Sequence, residues 1–324
     1  MDPAPPASAL PNDIMISGSV GAERYEFPLR VNTKVNYSTG RVLSYGIRLG
    51  GHVHSASDKD VCVFLTIIPQ PDPTQPKVET LQRYTDDKSH EVAKIVSVSY
   101  DECCAVGAKL HKGGGAAVML RAACTYAVRV FPWVKWFSLT DTSFITTASG
   151  LQVPLPAFHM CTSGTTWYES EFGAYLKDTN ANQVYRRQVE TVLQSPGKKL
   201  GYSSIAELCK RLHVQCPDPE ACLIMEPFYA ESSTLQEFFC ALKASRSRDE
   251  YTELVGQWVS PLMGRMFDYL YDDYPHKEWV IPANSFMAQD IQVGSSRMGP
   301  HKGCWHMPLP PQTLGRMYHP IEDI

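Results

Sequence analysis

The sequence predicts an α/β protein in which a mixed, mostly antiparallel sheet is flanked by helices and followed by a helical C-terminal extension. Three observations predict this fold. Strand-length apolar segments separated by turn residues fill 13–70, and a strand, a glycine turn, an amphipathic helix and a second strand follow one another over 91–141. Short helical segments with capping residues then begin after residue 196. At 324 residues, the chain is long enough for one large domain or two modest ones.

The first region alternates apolar segments with turns. The segments that read as strands are 14–16, 25–31, 42–49 and 61–68. Turn residues separate them, among them Gly40 and the pair Gly50–Gly51. The segment 69–77 contains four prolines, which remove hydrogen-bond donors and fix φ, so it is predicted to be a loop.

Composition excludes several classes of protein. The net charge is −4 and no run of Lys and Arg is longer than two residues, so nucleic acid is not an expected partner. Residues 1–12 are rich in Pro and Ala and are predicted to be disordered, without the pattern of a signal peptide. No apolar run reaches the ~20 residues of a membrane-spanning helix. We therefore expect a soluble, cytoplasmic or intracellular protein with reduced cysteines, several of which (Cys62, Cys124, Cys222, Cys240) lie inside apolar patterns.

The second half of the chain changes composition near residue 196. Helices are predicted over 203–213, 218–230, 233–243 and 248–270, the last with a break near Pro261. Ser203 and Ser233 are the expected capping residues of the first and third of these helices. The predicted organisation is a disordered terminus (1–12), an α/β domain (13–195), a helical extension (196–275) and an irregular tail or arm (276–324).

The region 91–141 has the order of a β-α-β unit with an anion site at the start of its helix. Residues 91–100 alternate like a strand, three glycines follow at 113–115, and Pro132 ends the helix before a strand at 136–141. One buried stripe is predicted on this helix, formed by Ala116, Leu120, Ala123, Ala127 and Val130. Unpaired N–H groups at the helix start can bind an anion, although the residues match neither a P-loop nor a dinucleotide fingerprint.

The motif Lys112-x-x-Gly115-x-Ala117 resembles the Arg/Gln-x-x-Gly-x-Gly/Ala signature of the GNAT superfamily of acyl-CoA-dependent N-acetyltransferases. The resemblance implies a GNAT-like sheet and acetyl-CoA as cofactor, with main-chain amides of the turn holding the CoA pyrophosphate. The residues of this cradle would be Lys112, Gly113, Gly114, Gly115, Ala116 and Ala117. The end of the preceding strand would pair with the pantetheine arm through Ser97, Val98, Ser99 and Tyr100, and the strand 136–141 would splay away to admit it.

A second motif, residues 165–174, resembles the family's later helix, in which a tyrosine reprotonates the CoA thiolate. The general acid would then be Tyr168, although Phe172–Gly173 reverses the family's Gly-Phe order and an insertion, 146–163, precedes the helix. The substrate ammonium also needs a base, for which Glu102 and Asp141 are the candidates, with Asp101 beside the first. The alternatives are an aromatic packing residue for Tyr168, surface carboxylates for the acids and a flexible helix cap for the triple glycine.

Two functions follow from these resemblances. The first is an N-acetyltransferase-like protein that transfers acetyl from acetyl-CoA to an amine. The alternative is a catalytically inactive GNAT-like fold that serves as a structural or interaction protein, with protein partners bound through 196–324. Residues 139–143, 166–169 and 172–174 are similar to GNAT-like proteins of large double-stranded DNA viruses, which makes a minor capsid component, and so a virion location, one form of this alternative. His301, Cys304 and His306 lack a second ligand pair, so no metal site is predicted.

Overall fold

A computed structural model describes residues 13–20, 23–54, 61–70, 89–99, 104, 115–194, 201–266, 278–286 and 292–294. Two compact units account for these residues. The sheet unit comprises the described residues up to Leu139 and from Val280 onward, and the helical unit comprises those from Thr140 to Trp279. Composition suggests domain limits at residues 12, 195 and 275. These limits stay a prediction, because the two compact units are divided at other positions, after Leu139 and after Trp279.

Eight strands belong to the sheet unit, in the order β11-β1-β2-β3-β4-β5-β6-β10. Their bounds are β1 Asp13–Val20, β2 Glu23–Val35, β3 Val42–Leu49, β4 Val63–Ile67, β5 Val92–Val98, β6 Trp136–Leu139, β10 Trp279–Pro282 and β11 Gln292–Gly294. The five neighbouring pairs from β11–β1 to β4–β5 are antiparallel, whereas β5 and β6 are parallel. The prediction of a mixed, mostly antiparallel sheet is therefore confirmed.

Strand alternation puts the apolar side chains on one face of this sheet. In β3, Tyr45, Ile47 and Leu49 are buried, while the residues between them are half-exposed. The helix α1 (Gly115–Val130) packs against β1, β3 and β4 on the apolar face. It ends at Val130, two residues before Pro132, as the sequence predicts.

The single buried stripe predicted for α1 is too narrow. Nearly every residue from Gly115 to Ala127 is buried, whereas Val130, which was assigned to the stripe, is half-exposed. The reason is a second covering element, the 3₁₀ segment Ala283–Phe286, which packs on the helix. The hydroxyl of Thr125 donates to the carbonyl of Phe286 at 3.0 Å. A helix covered on two sides needs apolar or small residues on both.

The helical unit begins with the hairpin of β7 (Phe144–Thr146) and β8 (Gln152–Pro154). The remaining elements are α2 Leu155–Ser163, α3 Trp167–Phe172, β9 Tyr175–Leu176, α4 Thr179–Gln188, a π-helical segment Val189–Gln194, α5 Ile205–Leu212, α6 Pro219–Glu231, α7 Leu235–Ala244 and α8 Arg248–Met266. The last four helices lie where the sequence predicts helices. Their assignment as an extension of a GNAT-like core stays a prediction.

Two details of these helices differ from expectation. The capping side chains of α5 and α7 are Ser204 and Thr234, one residue after the predicted Ser203 and Ser233. The chain also continues helically through Pro261, so the expected break is absent from α8. None of the described helices has both the length and the apolar character that a membrane crossing requires.

The cysteines correct one prediction. Cys62 and Cys104 form a disulfide with their Cα atoms 6.0 Å apart, so the prediction of a reduced Cys62 is wrong. Both residues are buried. The free cysteines of the described chain are Cys124, Cys161, Cys209, Cys216, Cys222 and Cys240.

Candidate functional site

The end of β5 is the first part of the candidate site. The pairing of β5 with β6 joins Val92–Lys94 to Trp136–Ser138. Strand β5 then continues to Val98, while β6 ends at Leu139. On its other side β5 stays paired with β4, and among the described residues nothing pairs with its last four residues on the side of β6.

A β-bulge lies in this outer part of β5. Ser97 is opposite Phe64 in β4, but the next pair is Ile95 with Leu65, which leaves Val96 as an extra residue. A bulge turns the following side chains and increases the local twist of the strand. The bulge therefore changes the direction of the Ser97 side chain, close to where the pairing of β5 with β6 ends.

The three described residues of the predicted pantetheine segment differ in how their polar groups are used. Ser99 donates its N–H to the carbonyl of Cys62 at 2.7 Å and its hydroxyl to the carbonyl of Val61 at 3.2 Å. Val98 is buried opposite Val63 in β4. The Oγ atom of Ser97, in contrast, is shielded from solvent and has no hydrogen-bond partner among the residues that the structure describes. A buried hydroxyl without a partner is uncommon and requires an explanation.

The start of α1 is the second part of the site. Gly115, Ala116 and Ala117 are its first three residues, and all three are buried. The first turn of α1 contains no acidic side chain that would neutralise the positive end of the helix. The other residues of the predicted cradle (Lys112, Gly113, Gly114), together with Tyr100, Asp101 and Glu102, lie outside the described residues.

Asp141, a candidate base, lies in the helical unit, two residues after the end of β6. It is 4% exposed. The Ser143 hydroxyl donates to its Oδ1 at 2.5 Å and the Ser143 N–H at 3.2 Å. Burial raises the pKa of this carboxyl to about 6, and the two hydrogen bonds from Ser143 limit the rise. A carboxyl with such a pKa can accept a proton near neutral pH.

Tyr168, the predicted general acid, lies on α3 and is 1% exposed. Its ring packs edge-to-face on Trp167, with 4.8 Å between the ring centroids, and lies 6.3 Å from Phe172. This is the geometry of the alternative interpretation, an aromatic packing residue. Catalysis by Tyr168 stays a prediction.

The sequence did not predict a buried polar network beside Tyr168. The carboxylate of Glu169 accepts hydrogen bonds from the N–H of Thr166 at 2.7 Å and from the hydroxyl of Tyr185 at 2.5 Å, and it pairs with Arg186 at 2.9 Å. Burial, followed by the negative charge of Glu169, raises the pKa of Tyr185. The Thr-x-x-Glu capping-box motif could have identified the first contact, but no local pattern points to Tyr185 or Arg186.

The structure therefore groups the predicted residues by unit. Ser97, Val98, Ser99, Gly115, Ala116 and Ala117 belong to the sheet unit, and Asp141 and Tyr168 belong to the helical unit. Within the described part of the chain, no group of three or more His, Cys, Asp or Glu side chains could hold a metal ion. The sequence predicts a reduced thiol at Cys62, whereas this residue forms a disulfide, and its carbonyl accepts a hydrogen bond from the N–H of Ser99.

Comparison of the chain with protein-family models, with curated proteins and with solved structures gave no match.

Proposed function

We propose that the sheet unit binds acyl-CoA and that the chain is an N-acetyltransferase-like protein of the GNAT type, acting on an amine. The observation that carries the proposal is the end of β5, where the strand continues beyond its pairing with β6 and holds the unpartnered hydroxyl of Ser97. The pantetheine arm is extended and contains two amides, so it can pair with an open strand edge as an added strand would. In the bound state, the hydroxyl of Ser97 would form its missing hydrogen bond with a polar group of the pantetheine arm.

The start of α1 is suited to the diphosphate of the same cofactor. The first N–H groups of a helix have no intrahelical acceptor, and the helix dipole makes this end positive. Gly115 and the small side chains of Ala116 and Ala117 allow a bulky anion to approach the main chain. In this proposal the cofactor would span the strand edge and the helix start.

Bound acetyl-CoA would supply a thioester carbonyl for attack by the amine, with the CoA thiolate as leaving group. The amine must first lose a proton to a base, and the carboxylate of Asp141, with its pKa raised to about 6, has the basicity that this step requires. In the family that the sequence resembles, a tyrosine returns a proton to the thiolate, and Tyr168 is the residue at that position of the motif.

A second candidate function is favoured by the burial of Tyr168. A general acid must come within hydrogen-bond reach of the leaving group, whereas this side chain is 1% exposed among aromatic neighbours. The same fold without transfer chemistry would act as a structural or interaction protein, for which a virion location is the alternative to an intracellular one. Cofactor binding and acetyl transfer must therefore be tested separately.

Isothermal titration of the full chain with acetyl-CoA tests the binding step. Replacing Ser97 with Ala removes a hydroxyl that is unsatisfied in the free protein, so the fold is retained and affinity falls by about threefold to tenfold, the contribution of one hydrogen bond. Ser44→Ala is the matched control, since this half-exposed hydroxyl lies on β3, two strands away, and leaves affinity unchanged. Equal affinity of the Ser97 and Ser44 variants would contradict the placement of the pantetheine arm.

The cradle has its own test. A carboxylate at the helix start opposes the diphosphate, so Gly115→Glu abolishes measurable binding, while Val130→Glu places the same charge at the other end of α1 without this effect. Circular dichroism verifies that both variants are folded. Absence of millimolar binding by the unsubstituted chain would refute acyl-CoA binding altogether. Binding without release of free thiol from acetyl-CoA in the presence of amines would leave the non-catalytic function.

A further inference from the structure

A row of four residues crosses the sheet unit on the face that α1 does not cover, here called the polar face. Arg30 of β2 lies directly opposite Arg48 of β3. Phe64 of β4 is the next partner of Arg48, and Ser97 of β5 is the partner of Phe64. Directly opposite residues share one face of a sheet. The residues that flank the first three are buried on the apolar face, against which α1 packs, whereas the four residues of the row are half-exposed.

The ring of Phe64 holds Arg48 in place. The guanidinium of Arg48 lies over this ring, 5.8 Å from its centroid, in a cation–π contact. The ring itself lies against Gly46, where an added Cβ atom would be 3.1 Å from the nearest ring carbon. A larger residue at this position would displace the ring and, with it, Arg48. The guanidinium is therefore positioned beside Phe64, whose own partner is Ser97.

Arg30 is held by a different contact. Its Nη1 donates to Nδ1 of His54 at 3.0 Å, because a guanidinium has no acceptor atom. Two guanidinium groups thus lie on neighbouring strands, whose main chains are about 5 Å apart. Like charges directly opposite each other destabilise a sheet. An anion that contacts both groups relieves this repulsion, and planar guanidinium groups bind carboxylates and phosphates through paired hydrogen bonds.

The charge of the polar face favours such a ligand. Among the described side chains that β2 to β5 place on this face, Glu26 is the single acid. The basic side chains of the same set are Arg24, Arg30, Lys34, Arg48 and Lys94. The whole chain, by contrast, carries a net charge of −4. The excess of positive charge is therefore local, and it attracts an anionic ligand to this face.

The diphosphate of acyl-CoA is not the anion that this arginine pair would take. The first residues of α1, proposed above for the diphosphate, belong to the helix that packs on the apolar face. Arg30 and Arg48 lie on the polar face, in one row with Ser97, where the pantetheine arm is proposed to bind. The pantetheine arm ends in the thioester that the amine must reach. A second substrate held by the arginines would thus approach the reactive end of the cofactor from the polar face.

We propose that Arg30 and Arg48 bind the anionic group of the acceptor substrate. The acceptor is then an acidic amine, namely an amino acid or peptide that carries a carboxylate or a phosphate besides its amino group. This inference rests on the proposed acetyl transfer for the role of the ligand, while the arginine pair itself is a binding site independent of the cofactor. Phe64 and His54 are positioning residues, since they hold the two guanidinium groups.

Ligand-observed NMR titration of the full chain tests the binding site. The probes are L-glutamate, which carries carboxylates, O-phospho-L-serine, which adds a phosphate, and L-glutamine amide, which has the size and the amine of glutamate but no anionic group. L-Glutamate or O-phospho-L-serine should bind about tenfold more tightly than L-glutamine amide, or better, which is the effect of one charged hydrogen-bonded pair. The tighter of the two identifies the anion. Equal affinity for all three probes would overturn the proposal.

Two variants extend the test to the residues. Arg48→Gln keeps a polar, half-exposed side chain on β3, so the fold is retained, as circular dichroism verifies, and affinity for the anionic probe falls about tenfold. Lys34→Gln is the matched control, because it removes the same charge from an exposed position on the polar face, near the end of β2, and leaves affinity unchanged. Equal losses in the two variants would show a general charge effect and would overturn the site.

Thiol release from acetyl-CoA separates this inference from the function on which it rests. The anionic probe should be acetylated, and Arg48→Gln should raise its KM about tenfold while changing kcat little. Acetyl-CoA binding without selective binding of the anionic probes would overturn the acceptor site alone. Binding of these probes that depends on Arg48, by a chain that does not bind acetyl-CoA, would refute the acetyltransferase and, with it, the role of the ligand as an acceptor.

Discussion

The sheet unit and the helical unit hold their candidate functional residues in opposite ways. At the end of β5 a disulfide and main-chain hydrogen bonds fix Cys62 and Ser99, but within the described part of the chain the hydroxyl of Ser97 has no partner. In the helical unit, Glu169 beside Tyr168 is surrounded by donors, and Asp141 accepts two hydrogen bonds from Ser143. Ser97 thus keeps an unsatisfied hydroxyl on a fixed frame, whereas the carboxylates of Glu169 and Asp141 each accept two hydrogen bonds from their own unit.

This difference separates binding from stability. An unpartnered hydroxyl lowers the stability of the free protein, so its presence is explained if a ligand supplies the missing partner. A carboxylate with several donors is costly to remove and does not need a ligand. Substitutions at Ser97 should therefore alter ligand affinity, whereas those at Glu169 should alter folding. The following predictions test this contrast, beginning with the largest expected effect.

Removal of the Cys62–Cys104 disulfide should destabilise the sheet unit most. The bond joins residues 42 apart, and the loss of loop-closure entropy corresponds to about 4 kcal/mol of unfolding free energy. The paired substitution Cys62→Ser with Cys104→Ser should lower the denaturation midpoint accordingly, as measured by urea titration. Cys240→Ser, at an exposed free thiol, should leave the midpoint unchanged. A paired variant as stable as the original chain would show that main-chain contacts alone fix this frame.

The substitution Glu169→Ala should destabilise the helical unit by about 3 kcal/mol, since the buried hydroxyl of Tyr185 and the charge of Arg186 lose their partner. The control is Glu237→Ala in the capping box of α7, where the glutamate is exposed. This change should cost only about 1 kcal/mol. Both variants are compared by urea unfolding. Equal losses would mean that the network around Glu169 adds nothing to a simple helix cap.

Asp141→Asn should stabilise the protein at neutral pH by about 3 kcal/mol, as its carboxyl pKa rises from an ordinary 3.8 to about 6 on folding. Between these values the folded chain binds more protons than the unfolded chain, so stability falls as the pH rises from about 4 to about 6. Asn keeps an acceptor for Ser143 but carries no charge, and the gain should vanish below about pH 4. Unfolding curves at several pH values measure it. A pH-independent difference would rule out a raised pKa.

The same variant sharpens the functional contrast. If Asp141 is the base of an acetyl transfer, Asp141→Asn lowers the rate of thiol release from acetyl-CoA while leaving acetyl-CoA affinity unchanged. Ser97→Ala should do the reverse, with weaker binding as its main effect. A protein that binds acetyl-CoA but releases no thiol, with or without the Asp141 substitution, would be the non-catalytic form of the fold.

The local elements follow from the amino-acid pattern alone. Alternation placed β3 at Val42–Leu49, the turn and Pro132 bounded α1, and helical periodicity located α5 to α8 within a few residues. Such signals act over one strand or a few helical turns, because they arise from the chain's own geometry. The order of strand, turn, helix and strand likewise gave the parallel pair β5–β6 before any contact was known.

Contacts between residues far apart in the chain are visible only in the folded protein. Cys104 is 42 residues from Cys62, and Tyr185 is 16 residues from Glu169. The residues next to Tyr168 in the sequence do not show that its side chain is buried. The segment Ala283–Phe286 covers α1 on a second side, whereas the sequence pattern predicts one buried stripe. Sequence periodicity reports which face of an element is apolar. The partner of that face, and hence the burial and pKa of each side chain, depends on packing between elements far apart in the chain.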